Sequence, residues 1–307
     1  MSLIHTVIQR IKRDYFRWQY ANAARGILAT APVSKGSVPF MLLSMVQKRD
    51  VVSYLVALKS FTRFLNPQRI VVVCDPSIDA EDRAVLSAHI PHLELRHADE
   101  FTHPDIPRGG TWERLYAIAQ YAVDNYVVQL DADTVTTQPI EEVRAAIEAH
   151  AGFVLVEKTT TRILTVEETR AITVPRLRPN PHIQSSSEAI MATVGLPEGV
   201  RYVRGCSGFT GFPPDPAMAA AMLDYSARMT RALGEGWKRW GTEQVTSNYL
   251  VANSRNVVTL PFPKYGTPNT ADAQTAFIHF IGSMRFINSQ YQSTSADAIR
   301  QMRAAHA

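Results

Sequence analysis

From residue 38 onward the chain alternates short apolar runs with amphipathic stretches, and this alternation restricts the fold more than any other feature. Residues 38–45, 69–74, 93–97 and 126–130 are short, apolar and rich in β-branched side chains, the pattern of buried strands. Between them, 51–65, 80–88 and 111–123 carry helical spacing. Val51, Leu55, Leu58 and Leu65 share one face of the first helix; Trp112, Leu115, Tyr116, Ala119 and Val123 share one face of the last. A β-α-β-α-β-α-β order predicts an α/β fold, with a mostly parallel central sheet and helices on both faces.

The fourth of these strands ends in Leu130-Asp131-Ala132-Asp133. Open α/β sheets bind their ligands just past the carboxyl ends of their strands. Two carboxylates there need water or a cation. A divalent ion carrying phosphate satisfies both, and hard oxygen ligands suit Mg²⁺ or Mn²⁺. The plain alternative is an Asp-rich turn in which Asp133 caps the next element. No GxGxxG and no GxxxxGK[ST] follows an early strand, so phosphate would be held by metal and side chains.

The second half reads less clearly. Residues 141–150 predict a helix, 153–156 a strand, 202–212 a glycine-spaced strand, 216–231 and 242–252 helices, and 256–260 and 275–281 strands. Residues 157–200, with Thr159-Thr160-Thr161, several prolines and Ser185-Ser186-Ser187, read as a long loop, mobile without ligand.

With 307 residues the chain can bury a sizeable core. Cys74 and Cys206 are far apart in apolar surroundings, which predicts two buried thiols and fits a reducing compartment. No apolar run approaches a membrane span, and the first residues lack a secretory pattern, so a cytoplasmic protein is expected. Five cations against one acid in residues 1–26 account for the whole net charge of +4, leaving 27 basic and 27 acidic residues elsewhere. A neutral body argues against nucleic acid as a partner. Residues 3–24 read as an amphipathic helix, with Ile4, Val7, Ile8, Ile11, Tyr15 and Trp18 on one stripe and Arg10, Arg13 and Arg17 on another side. Such a helix packs on its own protein, on a second subunit in a homo-oligomer, or peripherally on an anionic inner membrane face.

Four features fall in a familiar order: Leu130-Asp131-Ala132-Asp133, then Cys206-Ser207-Gly208-Phe209-Thr210-Gly211-Phe212, then Gly241-Thr242-Glu243-Gln244, then His279-Phe280-Ile281-Gly282-Ser283-Met284-Arg285. Together they resemble the nucleotide-diphospho-sugar transferases of GT-A fold, and within them most the glycogenin-like and bacterial lipopolysaccharide-galactosyltransferase-like group. The resemblance spans about residues 38–290. It implies a GT-A-like, Rossmann-type α/β domain over 36–307, with a nucleotide-binding half (36–156) and an acceptor half (157–307), preceded by the basic helix and linker of 1–35. It implies transfer of a sugar from a nucleoside-diphosphate sugar, in particular a UDP-sugar, to a hydroxyl of a saccharide, lipid-linked or protein acceptor in surface polysaccharide or glycolipid synthesis.

By the same resemblance Asp131, Asp133 and His279 would hold Mn²⁺ (or Mg²⁺) against the diphosphate. Two carboxylates and an imidazole suit Mn²⁺ better than an all-oxygen Mg²⁺ cage. The group's late His-x-x-Gly-x-x-Lys appears here with Arg285 for Lys, which keeps the charge and adds a bidentate grip. The usual Pro-Trp after it is replaced by Phe286-Ile287. Gly282 would let backbone approach a phosphate. Arg114 would reach the diphosphate, or lie on a solvated helix face. Asp75 would meet the base or ribose, or merely open the Asp75-Pro76 turn. Residues 44–47, from Ser44, would floor the nucleotide pocket. Glu243 would be the general base of an inverting enzyme; in a retaining one Glu243 or Gln244 would hold the sugar. The bland reading of Glu243 is a favourable first-turn carboxylate. Trp237 and Trp240 would stack on an acceptor or cover the core edge.

Two readings compete. Asp131-Ala132-Asp133-Thr134-Val135 also matches the first motif of haloacid-dehalogenase-like phosphatases, with Asp131 as nucleophile, although no later Asp-Asp or Gly-Asp occurs. The other is a nucleotide-sugar-binding protein without turnover.

Overall fold

The computed structural model describes residues 3–304 except Ser283. In chain order its strands are β1 (Val38–Val46), β2 (Pro67–Cys74), β3 (Leu93–His97), β4 (Val127–Leu130), β5 (Thr134–Thr136), β6 (Phe153–Leu155), β7 (Ile163–Thr165), β8 (Arg201–Val203), β9 (Cys206–Phe212), β10 (Val258–Thr259), β11 (Tyr265–Gly266) and β12 (Phe277–His279). The helices are α1 (Leu3–Ala24), α2 (Val51–Thr62), α3 (Ala80–His89), α4 (Trp112–Tyr121), α5 (Glu141–Glu148), α6 (Val166–Thr173), α7 (Ile183–Ile190), α8 (Met218–Leu233), α9 (Thr242–Ala252) and α10 (Gln290–Ala304).

The expected α/β architecture is present. A seven-stranded sheet has the order β10-β6-β9-β4-β1-β2-β3. β1 runs parallel to β2 and β4, and β2 to β3; β9 runs antiparallel to both β4 and β6. Period-2 alternation splits the core into two layers. Phe40, Leu42 and Val46 of β1 face one, and Met41 and Leu43 face the other; Val128 and Leu130 of β4 divide from Val127 in the same way. Each fully buried aliphatic side chain contributes about 1.5–3 kcal/mol, so the central strand β4 tolerates charge only past its end.

A smaller sheet, β11-β12-β5, sits at that end. β5 begins one residue after Asp133 and pairs antiparallel with β12, which sets His279 opposite Thr134. A backbone bond from Phe280 N to Asp133 O at 2.8 Å extends the pairing.

The structure corrects two expectations. The segment 157–200 is not one long loop: it carries β7, α6 and α7, and β7 pairs with β8. Thr165 and Glu168 form a reciprocal capping box that starts α6. The serine run lies inside α7, where buried Ser187 donates to Ile183 O at 2.9 Å; weak helix propensity hid a helix that packing stabilises. The single strand expected over 202–212 is two, in different sheets. The break falls at Arg204-Gly205, where Gly205 N donates to Val203 O at 3.0 Å and Asn248 Nδ2 donates to Gly205 O at 3.0 Å. Trp237 is a core residue, fully buried with its indole N–H on Ser226 Oγ at 3.1 Å, while Trp240 is 74 % exposed.

Among the described side chains of α1, those at its end are covered by the body. Tyr20 stacks on Tyr291 of α10 with ring centroids 3.9 Å apart, and Ala24 and Ile27 are buried. Val7, Ile8, Ile11, Tyr15 and Trp18 remain 45–63 % exposed. The side chain of Ile4, counted in the same stripe, lies outside the described residues. Cys74 and Cys206 are buried free thiols, as expected. No helix among the described residues is long and apolar enough to cross a membrane.

Candidate active site at the carboxyl end of β4

Asp131 and Asp133 flank the turn between β4 and β5. Asp131 N donates to Gly208 O of β9 at 2.9 Å, and Thr134 Oγ1 donates back to Asp131 O at 3.0 Å, so the turn is pinned from both sides. The pairing of β5 with β12 delivers His279 from 146 residues away. Its Nε2 lies 3.1 Å from Asp133 Oδ1 and 3.7 Å from Asp131 Oδ2. One ligand atom from each of the three residues falls within 4.8 Å of the others.

The far side of the imidazole is equally defined. His279 Nδ1 lies 3.2 Å from the Cys206 sulfur, which leaves Nε2 to the carboxylates. Gly208 makes room for the ring: a Cβ there would sit 2.1 Å from His279 Cε1. Gly208→Ala is therefore expected to displace His279, cost about 1–3 kcal/mol of stability and weaken Mn²⁺ affinity by roughly 10–100-fold. Calorimetric Mn²⁺ titration checks this; unchanged affinity would remove His279 from the ligand set.

Two arginines bracket the acids. Arg285 donates to Asp133 Oδ2 and, at 3.3 Å, to Asp50 Oδ1. Arg114 on α4 is 4 % exposed and donates to Asp131 Oδ1 and, at 3.1 Å, to Glu243 Oε1. Glu243, in the first turn of α9, also accepts from Thr111 Oγ1 at 3.1 Å and Ser207 Oγ at 3.4 Å. The helices α4 and α9 thus present their N-terminal turns to one another, joined further by Trp112 Nε1 donating to Thr242 Oγ1 at 3.1 Å.

Burial alone would raise the Asp133 carboxyl, but His279 and Arg285 outweigh it and hold it below its usual range. Burial likewise opposes charge on His279, yet the Cys206 sulfur and Asp133 outweigh it and push the imidazole well above its ordinary value. Burial raises Glu243, with Arg114 pulling the other way. Nε2 is thus a point where the surroundings favour positive charge, a proton or a metal ion. Four carboxylates (Asp50, Asp131, Asp133, Glu243) meet three guanidiniums here, those of Arg49, Arg114 and Arg285, so with His279 neutral the cluster is net negative. A cation is favoured there, and the donor set of two carboxylates and an imidazole fits Mn²⁺.

Of the residues singled out from sequence, Asp131, Asp133, His279, Arg114, Arg285 and Glu243 converge. Gln244, next to Glu243, is partly exposed and makes no side-chain hydrogen bond among the described residues. Gly282 lies in a turn where an added Cβ would meet nothing within 4 Å. Ser44 is fully buried and donates to Leu130 O at 2.7 Å, so it braces the end of β4 from beneath and cannot line a pocket. Asp75 accepts from Ser77 N at 2.9 Å, the turn role its Asp-Pro sequence suggests. Asp50, Thr111, Ser207 and Cys206 complete the cluster without having been expected there. Asp50 and Thr111 stand just before helices, a position that signals capping and not site chemistry.

No protein-family model matches the chain, and no curated protein matches it in sequence. Among solved structures it is similar to the bifunctional glycosyltransferase WbbM in its apo form, at 15 % identity and a TM-score of 0.52, over 89 % of this chain and 53 % of that one. The chain thus spans about half the length of WbbM. Mouse xyloside xylosyltransferase 1 (apo) matches at 12 % identity and a TM-score of 0.48, over 81 % of this chain and 99 % of that one. The galactosyltransferase LgtC, in complex with donor and acceptor sugar analogs, matches at 11 % identity and a TM-score of 0.46, over 87 % of this chain and 96 % of that one. At these identities the likeness is one of fold, and the fold is GT-A-like.

Proposed function

We propose that this chain is a metal-dependent glycosyltransferase that moves a sugar from a UDP-sugar to a saccharide, lipid-linked or protein hydroxyl. The observation that carries this reading is the convergence of Asp131, Asp133 and His279 within 4.8 Å at the carboxyl end of β4, bracketed by Arg114 and Arg285. Residues 36–156 would hold the nucleotide and 157–307 the acceptor.

Asp131, Asp133 and His279 would hold Mn²⁺ or Mg²⁺. A divalent ion there supplies Lewis-acid neutralisation of the departing diphosphate. Arg285, part-exposed at the mouth of the cluster, can exchange its carboxylate partner for a phosphate oxygen, and its fork favours bidentate contact. Arg114 is enclosed, and its work is to hold Asp131 and Glu243 in place. Glu243 is 3 % exposed and engaged by three side chains, which supports a positioning role over a direct one. Gln244 is partly exposed with no side-chain hydrogen bond among the described residues, so it suits contact with the donor sugar. Trp240 offers an exposed indole beside the start of α9 for the acceptor.

The phosphatase alternative requires Asp131 free to attack phosphorus. It also needs a later acidic motif, and no Asp-Asp or Gly-Asp follows Asp133, which supports the transferase reading.

A thermal-shift series tests the proposal. UDP with Mn²⁺ at about 100 times its dissociation constant should stabilise the protein by about 2.7 kcal/mol. That raises Tm by roughly 5–10 °C for a domain of this class. UDP without metal should do much less; an equal shift with and without Mn²⁺ would remove the metal from the account.

The exposed stripe of α1 with Arg10, Lys12 and Arg13 around it supports peripheral contact with an anionic membrane. Co-sedimentation with phosphatidylserine vesicles is expected to fall sharply for Ile11→Asp/Trp18→Asp and at high salt. Equal sedimentation of variant and parent would show that the stripe is not the contact.

A further inference from the structure

The segment 157–204 lines an open cavity of about 540 Å³, separate from the acidic cluster and within the size range of ligand pockets. Its charge is one-sided. Lys158, Arg162, Arg176 and Arg204 line it against a single acid, Glu188. Arg204 is paired with Glu188, and Arg162 donates to Thr159 O and Thr161 O at 2.7 and 2.8 Å. The side chains of Lys158 and Arg176 have no polar partner among the described residues, and both are exposed.

Glu188 offsets one of these cations. It is 1 % exposed, and Arg204 and Thr173 both engage Oε2. Its Oε1 is sealed from solvent beside Tyr202, so the carboxylate braces Arg204 and the remaining cations set the charge of the cavity.

Its position ties it to the site. Ser207 donates to Glu243 at 3.4 Å, and Arg204 is three residues before it. Their Cα atoms are therefore at most about 11 Å apart.

We propose that this cavity is a binding site for an anionic acceptor, taking its phosphate on Lys158, Arg162 and Arg176. The acceptor role rests on the transferase reading; the anion site does not. The phosphate is borne either by a soluble sugar or by a lipid.

Calorimetry with a hexose 6-phosphate and with the parent hexose tests the site. The phosphate ester is expected to bind at least tenfold more tightly than the hexose. Lys158→Gln/Arg176→Gln, two exposed changes that leave the fold intact, is expected to lose at least tenfold of that affinity. Asp133→Asn is expected to bind the ester like the parent. Vesicles containing phosphatidic acid form the second arm. Binding to them alone, lost in the double variant, assigns the phosphate to a lipid. Equal affinity for ester and hexose with no such vesicle binding, or a double variant that binds both probes like the parent, overturns the proposal. UDP with Mn²⁺ is titrated into the same samples. If that titration fails while ester binding stands, the transferase reading falls and the anion site remains; the reverse outcome removes the anion site alone.

Discussion

Asp133→Asn is expected to lower sugar-donor turnover by on the order of 10³ while the protein stays folded. The change keeps the side chain's shape and removes one charged ligand from the Asp131, Asp133 and His279 set. Metal-assisted stabilisation of a leaving group is worth several kcal/mol, and about 4 kcal/mol corresponds to a thousandfold in rate. Arg285 keeps its contact with Asp50 at 3.3 Å, so the guanidinium is not stranded. The measurement is the initial rate of donor hydrolysis and transfer against Mn²⁺ concentration, with circular dichroism to establish folding. A folded variant with parental Mn²⁺ dependence would exclude Asp133 as a ligand.

Arg114→Met is expected to be the most destabilising single change at the site. The guanidinium is 4 % exposed and joins Asp131 to Glu243, which is itself 3 % exposed. Removing it leaves a buried carboxylate without its cation, a loss of about 3–5 kcal/mol. At roughly 2–4 °C per kcal/mol the melting temperature should fall by about 6–20 °C. Because the pair is a cost only when half of it is missing, Arg114→Met/Glu243→Met should recover much of the loss. A double variant as unstable as the sum of the two single ones would show that the residues do not act together.

Such coupled effects mark where linear reading of the chain stops. The strands 38–45, 69–74 and 126–130 were legible because burial on both faces of a parallel sheet writes a local, apolar pattern. The acids after Leu130 were legible for a related reason: charge cannot sit within β4 and has an obvious use just beyond it. Segment 157–200 was not legible. Its elements are short, polar and made of weak helix formers, and only packing and capping stabilise them. Trp237 and Ser44 illustrate the same limit, since nothing local distinguishes an indole or hydroxyl buried as a brace from one that faces a ligand.

Local patterning was enough to establish an α/β fold, the order of strands and helices from β1 to β4, and an acid pair placed to meet a cation. Three-dimensional packing alone could specify what meets that pair. The register of β5 on β12 brings in His279, the bare backbone of Gly208 leaves space for its ring, and the approach of α4 to α9 makes Arg114 an enclosed strut and not a surface charge. Hydrophobic periodicity is a short-range property of the chain, whereas these contacts join residues up to 146 positions apart, and their existence depends on which strands pair and in what register.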